Sequence, residues 1–166
     1  MITSEFYVEY HHFKAALADL YAKRSKFSDL VSYSEFRPVE QDQIQLSPSK
    51  NQQVFSIGFT WVHDPEGVSA AVREVQKILK KYDYRVNWGT YWHAEADFGL
   101  FETFDTDLDD LKKAIDAYPD NKFKNCWIER VLYGEENCPL ESNFANSKLA
   151  SAAHESIPEH VARPET

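Results

Sequence analysis

The sequence predicts an α+β fold, an antiparallel sheet with two long helices on one face. Three observations carry this. Apolar residues change between period 2 and period 3.6 in the order strand, helix, strand, strand, helix, strand. Aromatic and β-branched residues gather in short runs such as "EFYVEY" and "VFSIGFTWV", which suit a pleated, half-buried surface. The strongest helical run also begins with start chemistry, Asp64 as cap and Pro65 at the first position. Together they give a ferredoxin-like sandwich with extra helices toward the C-terminal end. Its second sheet face must then meet solvent, another chain or a ligand.

"EFYVEY" is the first strand. Phe13, Ala16, Leu17, Leu20 and Tyr21 follow at helical spacing and predict a helix over residues 11–26. In "SYSEFRPVE" the alternation places Val31, Tyr33, Glu35 and Arg37 on one face and Leu30, Ser32, Ser34 and Phe36 on the other, with Pro38 ending or bending the strand at an edge. After the polar turn region "EQDQIQLSPSKNQQ", Phe55, Ile57, Phe59 and Trp61 alternate with Val54, Ser56, Gly58 and Thr60, a strand with one heavily apolar face. Val68, Ala71, Val72, Val75, Ile78, Leu79 and Tyr82 mark the second helix. "YRVNWGTYW" reads as extended and "AEADFGLFETF" as an irregular connection. Leu108, Leu111, Ile115 and Tyr118 define a third helix. Asn125 caps a final short one, "CWIERVLYG", which Gly134 ends.

With 166 residues, 43% hydrophobic and 14% aromatic, the chain can bury a core. Its formal charge of −9 repels a phosphate backbone. Lys77, Lys80 and Lys81 cluster where a helix ends and cations complement its dipole, so nucleic acid is not an expected partner. Cys126 and Cys138 show neither CxxC nor Cys/His ligand spacing, which signals no disulfide framework or zinc site and sets a reduced, intracellular compartment as the expectation. No signal peptide and no apolar run long enough for a transmembrane span is read from the sequence.

General catalytic motifs are absent. Five glycines form no Walker A or GxGxxG cradle, and there is no GxSxG elbow. His11 and His12 sit at a helix start, where successive side chains diverge; they read as surface histidines, and no metal site is assembled. The pair that invites chemistry is Glu35 and Arg37. Two residues apart on a strand, they share a face. On a wet face they form an ordinary ion pair worth about 0–1 kcal/mol; facing a pocket they form an active-site couple.

In order along the chain stand an amphipathic helix, the Glu-x-Arg strand, the segment "DQIQLSPS", an aromatic strand, a second helix, "YRVNWGTYW" and "YPDNKFKNCWIERVLYG". Over residues 5–134 this resembles the C-terminal substrate domain of the sugar-1,4-lactone oxidases, which include D-arabinono-lactone, L-gulonolactone and alditol oxidases, flavoenzymes of the vanillyl-alcohol-oxidase type. The resemblance implies that the bare sheet face forms the ceiling of a pocket over the flavin of FAD, with Glu35 and Arg37 as catalytic residues. It places Tyr33, Asn87, Trp88, Gly89, Thr90 and His93 toward substrate or flavin. The substrate it implies is a sugar lactone or related polyol.

Two departures stand out. Where the family has His-Trp-Gly/Ala-Lys, this chain has Asn87, Trp88, Gly89 and Thr90. A neutral hydroxyl replaces an amine, so either the activity is altered, His93 or another group substitutes, or the substrate is a different alcohol. The chain also starts near the substrate domain. Residues 1–134 are therefore expected to be a substrate (cap) domain and 135–166 a disordered tail, with FAD supplied by an FAD-binding domain in cis or trans and the chain inactive alone. Family members are often membrane-associated. Alternative readings are an oxidase of another alcohol such as a sterol, or a non-enzymatic α+β interaction domain.

Overall fold

The computed structural model describes residues 1–94, 103–104 and 106–134. The chain forms two compact units, Met1–Phe123 and Lys124–Thr166. In the first, the elements are β1 (Ile2–Glu9), α1 (Phe13–Ala22), β2 (Val31–Val39), β3 (Val54–Trp61), α2 (Pro65–Leu79), β4 (Arg85–Val86) and α3 (Thr106–Asp116). The four strands pair antiparallel in the order β2-β3-β1-β4. This is the expected α+β arrangement, with β1 and β3 central.

Alternation on the central strands separates two faces. Ser4, Phe6 and Val8 of β1 and Ile57, Phe59 and Trp61 of β3 are buried on one side. There α1 and α2 pack against β1 and each other, α1 contributing Ala16 and Leu20, and α2 contributing Val68, Ala71, Val72, Val75, Ile78 and Leu79. Each large apolar side chain so buried is worth about 1.5–3 kcal/mol. Asp64 caps α2 as the sequence predicts, its Oδ1 accepting from the Gly67 backbone N–H at 3.1 Å.

Three elements differ from their sequence reading. The first helix spans ten residues instead of residues 11–26, because no side chain caps its start and 3-10 turns at Tyr10–His12 and Arg24–Lys26 flank it. A bulge between Val31 and Tyr33 sets Val31 opposite Trp61, off the face that Tyr33, Glu35 and Arg37 share. Tyr118 lies beyond α3, 53% exposed, against the edge of Phe123. The remainder of the irregular connection, residues 95–102, and the tail expected over 135–166 lie outside the described residues.

The helix-covered side also holds a buried polar knot. Gln76 of α2 is 0% exposed; its Nε2 donates to Tyr84 Oη at 2.7 Å and to the His93 carbonyl at 3.0 Å, while its Oε1 accepts the His93 backbone N–H at 2.8 Å. One amide thus fastens α2 to the chain on either side of residues 85–92. Among the described residues no helix is long and apolar enough to cross a membrane.

The second unit, in its described part, is α4 (Cys126–Tyr133), capped by Asn125 Oδ1 accepting from the Ile128 N–H at 2.9 Å and ended by Gly134 at φ 73°. That left-handed φ is where glycine carries no steric cost. Cys126 is disulfide-bonded, where the sequence had signalled no disulfide.

Replacing Gln76 with alanine should strand the buried Tyr84 hydroxyl and both backbone groups of His93, at a cost of roughly 2–4 kcal/mol. Urea denaturation of the two proteins checks this.

Candidate functional site

On the face opposite the helices, a ladder of cross-strand neighbours places polar groups side by side. Glu5 of β1, Gly58 of β3 and Glu35 of β2 form one row, and Tyr7, Ser56 and Arg37 the next. Paired strands lie about 4.8 Å apart, so Arg37 and Glu5 are two strand spacings from each other, joined across a diagonal that passes between Ser56 and Gly58. Gly58 offers no side chain to obstruct that path. A Cβ there would meet only the Glu35 backbone oxygen and Cβ, at 3.5 and 3.8 Å.

The long guanidinium arm uses this gap. Arg37 Nη2 donates to Glu5 Oε1 at 2.7 Å, and Arg37 Nε lies 3.1 Å from Glu35 Oε1. The Arg37 side chain is 57% exposed and that of Glu5 only 11%. A fixed, permanently charged donor fork is thus presented outward from a sunken carboxylate.

Glu5 is the hub, and the sequence reading missed it. Ser56 Oγ donates to its Oε1 at 2.5 Å, Asn87 Nδ2 donates to its Oε2 at 2.7 Å, and the Tyr7 hydroxyl hydrogen-bonds it as well. Burial pushes the Glu5 carboxyl upward, but the hydrogen bonds from Ser56, Asn87, Tyr7 and Arg37 outweigh it and hold the group below the usual carboxylate range. Burial first, and the Glu5 charge next, push the Tyr7 phenol well above its ordinary value. Hydrogen bonding to Glu5 and its charge, with the charge of Glu35, raise Arg37 further. Glu5 and Arg37 therefore stay oppositely charged throughout the neutral range.

Asn87 arrives by an excursion of the sheet edge. Its N–H donates to the Glu5 carbonyl at 3.0 Å, residues 87–90 then form a turn with the Thr90 N–H on the Asn87 carbonyl at 3.1 Å, and pairing resumes with the Tyr91 N–H on the Thr3 carbonyl at 2.8 Å. Asn87 Oδ1 accepts the Gly89 N–H at 2.9 Å, which tightens the turn. Thr90 Oγ1 accepts from the Glu5 N–H at 3.2 Å and donates to the Asn87 carbonyl at 3.0 Å.

Of the residues singled out from the sequence, the structure therefore gathers Glu35, Arg37, Asn87 and Thr90 around Glu5. Tyr33 shares their face and is 60% exposed, and Gly89 lies in the turn. Trp88 is elsewhere: its Nε1 donates to the Leu46 carbonyl at 3.1 Å and its ring lies against Trp92 and Phe104. His93 is on the wrong side of the sheet. It is 3% exposed, with Nε2 at 2.9 Å from the Ser69 carbonyl of α2, so it does not join the cluster around Glu5.

A second framework holds the segment "DQIQLSPS". Asp42 accepts from Ile44 N at 2.9 Å, Ser47 Oγ at 2.6 Å and Ser49 Oγ at 2.8 Å. Arg85 Nη1 donates to the Pro48 and Lys50 carbonyls at 3.2 and 3.1 Å. Lys50 Nζ forks onto both oxygens of Asp107 at 2.5 and 2.7 Å. These residues fix a loop; none of these contacts reaches Arg37.

Comparison with known proteins places the chain in a family. The family model of D-arabinono-1,4-lactone oxidase matches residues 1–131, and the chain belongs to that family, one of FAD-linked sugar-lactone and alditol oxidases. It is 28% identical over 133 residues to the alditol oxidase of Streptomyces sp. (strain IKD472 / FERM P-14339). That match takes in 80% of this chain and 32% of the relative, so the chain spans about a third of its length.

Two outcomes are expected. Ser56→Ala and Arg37→Met should each raise the Glu5 titration, because each removes a donor that lowers it; carboxyl carbon chemical shifts followed against pH read both. Gly58→Val should close the diagonal and detach Arg37 from Glu5 while Gly58→Ala leaves it in place, as crystal structures of the two variants would record.

Proposed function

We propose that this chain forms the substrate side of the active site of an FAD-dependent oxidase acting on a CH–OH group of a sugar-1,4-lactone or related polyol. The observation that carries the reading is the Arg37 guanidinium, clamped by Glu5 and Glu35 on the helix-free face of a sheet in a lactone-oxidase family chain. The donor set suits the reacting end of such a cofactor: a fixed cation beside neutral amide and hydroxyl groups. The described residues hold no glycine-rich phosphate cradle, so the reading assigns the pyrophosphate of FAD to a segment other than these 166 residues, in cis or in trans.

Bound FAD supplies the acceptor for the two electrons and hydrogen leaving the substrate carbon. The role of this chain is electrostatic and positional. Arg37 directs donors at the substrate oxygen, where negative charge grows as the hydroxyl loses its proton to solvent water. Glu35, 47% exposed, accepts hydrogen bonds from neighbouring sugar hydroxyls. Glu5 holds Arg37 in place from below. Asn87 and Thr90 line the same region. Two carboxylates beside one guanidinium leave the cluster net negative, and Thr90 brings no charge where the family's motif has lysine. That balance favours a neutral polyhydroxyl compound over an anionic one.

Joined to the FAD-binding segment of a family member, the chain should give a yellow protein that forms hydrogen peroxide when a sugar lactone or polyol is added. Arg37→Ala should lower kcat about 10²–10³-fold with the flavin still bound. A flavin-loaded protein that oxidises no member of either class would overturn the proposal.

A further inference from the structure

At the end of β1 the structure overturns a further expectation from the sequence. His11 and His12 are consecutive and should diverge, yet their ring centroids lie 3.9 Å apart. Glu9 joins them. Its Oε2 is 3.1 Å from His11 Nδ1, and one ligand atom from each of Glu9, His11 and His12 lies within 4.8 Å of the others.

The backbone explains the convergence. β1 ends at Glu9 (φ −54°, ψ 142°), and the chain winds at once into the 3-10 turn Tyr10–His12. That turn is anchored, with the Tyr10 N–H on the Gln53 carbonyl at 3.0 Å and the Tyr10 ring against Phe55. The His12 ring rests near Tyr82, at 5.7 Å. The donors are therefore held by the sheet end and the entry to α1.

We propose that Glu9, His11 and His12 form a site for a divalent first-row transition ion, zinc being the class that suits it best. Two imidazole nitrogens and one carboxylate oxygen match zinc, nickel or copper, whereas magnesium and calcium prefer oxygen alone. With tetrahedral zinc bonds of about 2.0–2.2 Å, neighbouring ligand atoms stand about 3.3–3.6 Å apart. The Glu9–His11 separation of 3.1 Å is within a few tenths of an ångström of that spacing. The third donor, from His12, lies within 4.8 Å of both. With the His11 and Glu9 side chains 66% and 41% exposed, the remaining coordination positions open to water, giving an exchangeable ion. Clasping the end of β1 to the turn before α1, it stabilises the fold by mass action.

The test is calorimetric titration of the tag-free, chelator-stripped chain with zinc chloride at neutral pH. One zinc per chain is expected, with magnesium chloride giving no competing signal. Glu9→Gln, His11→Ala and His12→Ala should each weaken binding about tenfold or more, while His63→Ala leaves it unchanged. Zinc should raise the melting temperature of the native chain but not of the doubly substituted His11→Ala/His12→Ala chain. Imidazole resonances of His11 and His12 in the unsubstituted protein should shift together at one equivalent, which locates the ion without any variant. Absence of zinc binding, unmoved resonances of these two rings, or equal affinity in the double variant would overturn the site.

Discussion

The Glu5 carboxylate is the constraint around which the open sheet face is built. A half-buried charge on a central strand loses hydration and must be met by donors that stay in place. Ser56, Asn87, Tyr7 and Arg37 meet it, from three strands and the turn beyond the fourth. Arg37 is the member of that set that also extends to solvent. Its orientation is thus fixed by the cost of leaving Glu5 unsatisfied, a stronger constraint than its exposed contact with Glu35 alone. The site's rigidity and its charge come from one interaction.

The two sides of the sheet divide the labour. Toward the helices the strands bury Phe6, Ile57 and Phe59, and the polar groups there, Gln76 with Tyr84 and His93, are closed on themselves. Toward the other side the polar groups are joined in a network with Arg37 left accessible. His93 shows why a titratable ring near an aromatic stretch is a poor guide to chemistry: its neighbours are α2 backbone and amide, and it serves packing. Trp88 is similar, since its indole N–H is committed to the Leu46 carbonyl.

The motif segments that carry the family likeness therefore do different work. The Glu-x-Arg strand presents Glu35 and Arg37 on the helix-free face. The segment "DQIQLSPS" is an internally bonded loop held by Arg85, with Lys50 tied to Asp107 of α3. In the "NWGT" stretch the tryptophan anchors the loop while Asn87 and Thr90 turn back to Glu5. Thr90 is built into the turn, its hydroxyl engaging backbone groups of Glu5 and Asn87.

Periodicity, caps and turn residues were enough to read the strands, α2 and its Asp64 cap, and the antiparallel helix-backed architecture, because each depends on neighbours close in sequence. The shared face of Glu35 and Arg37 was legible for the same reason, being a consequence of the two-residue repeat of a strand. Glu5 was not: "EFYVEY" shows an acid in an aromatic strand, but its importance arises from lying across Gly58 from Glu35 and beside Asn87, and strand order and register set that. The side on which His93 falls, the joining of His11 and His12, and the bulge that displaces Val31 likewise follow from pairing and packing between distant segments, which no local pattern encodes.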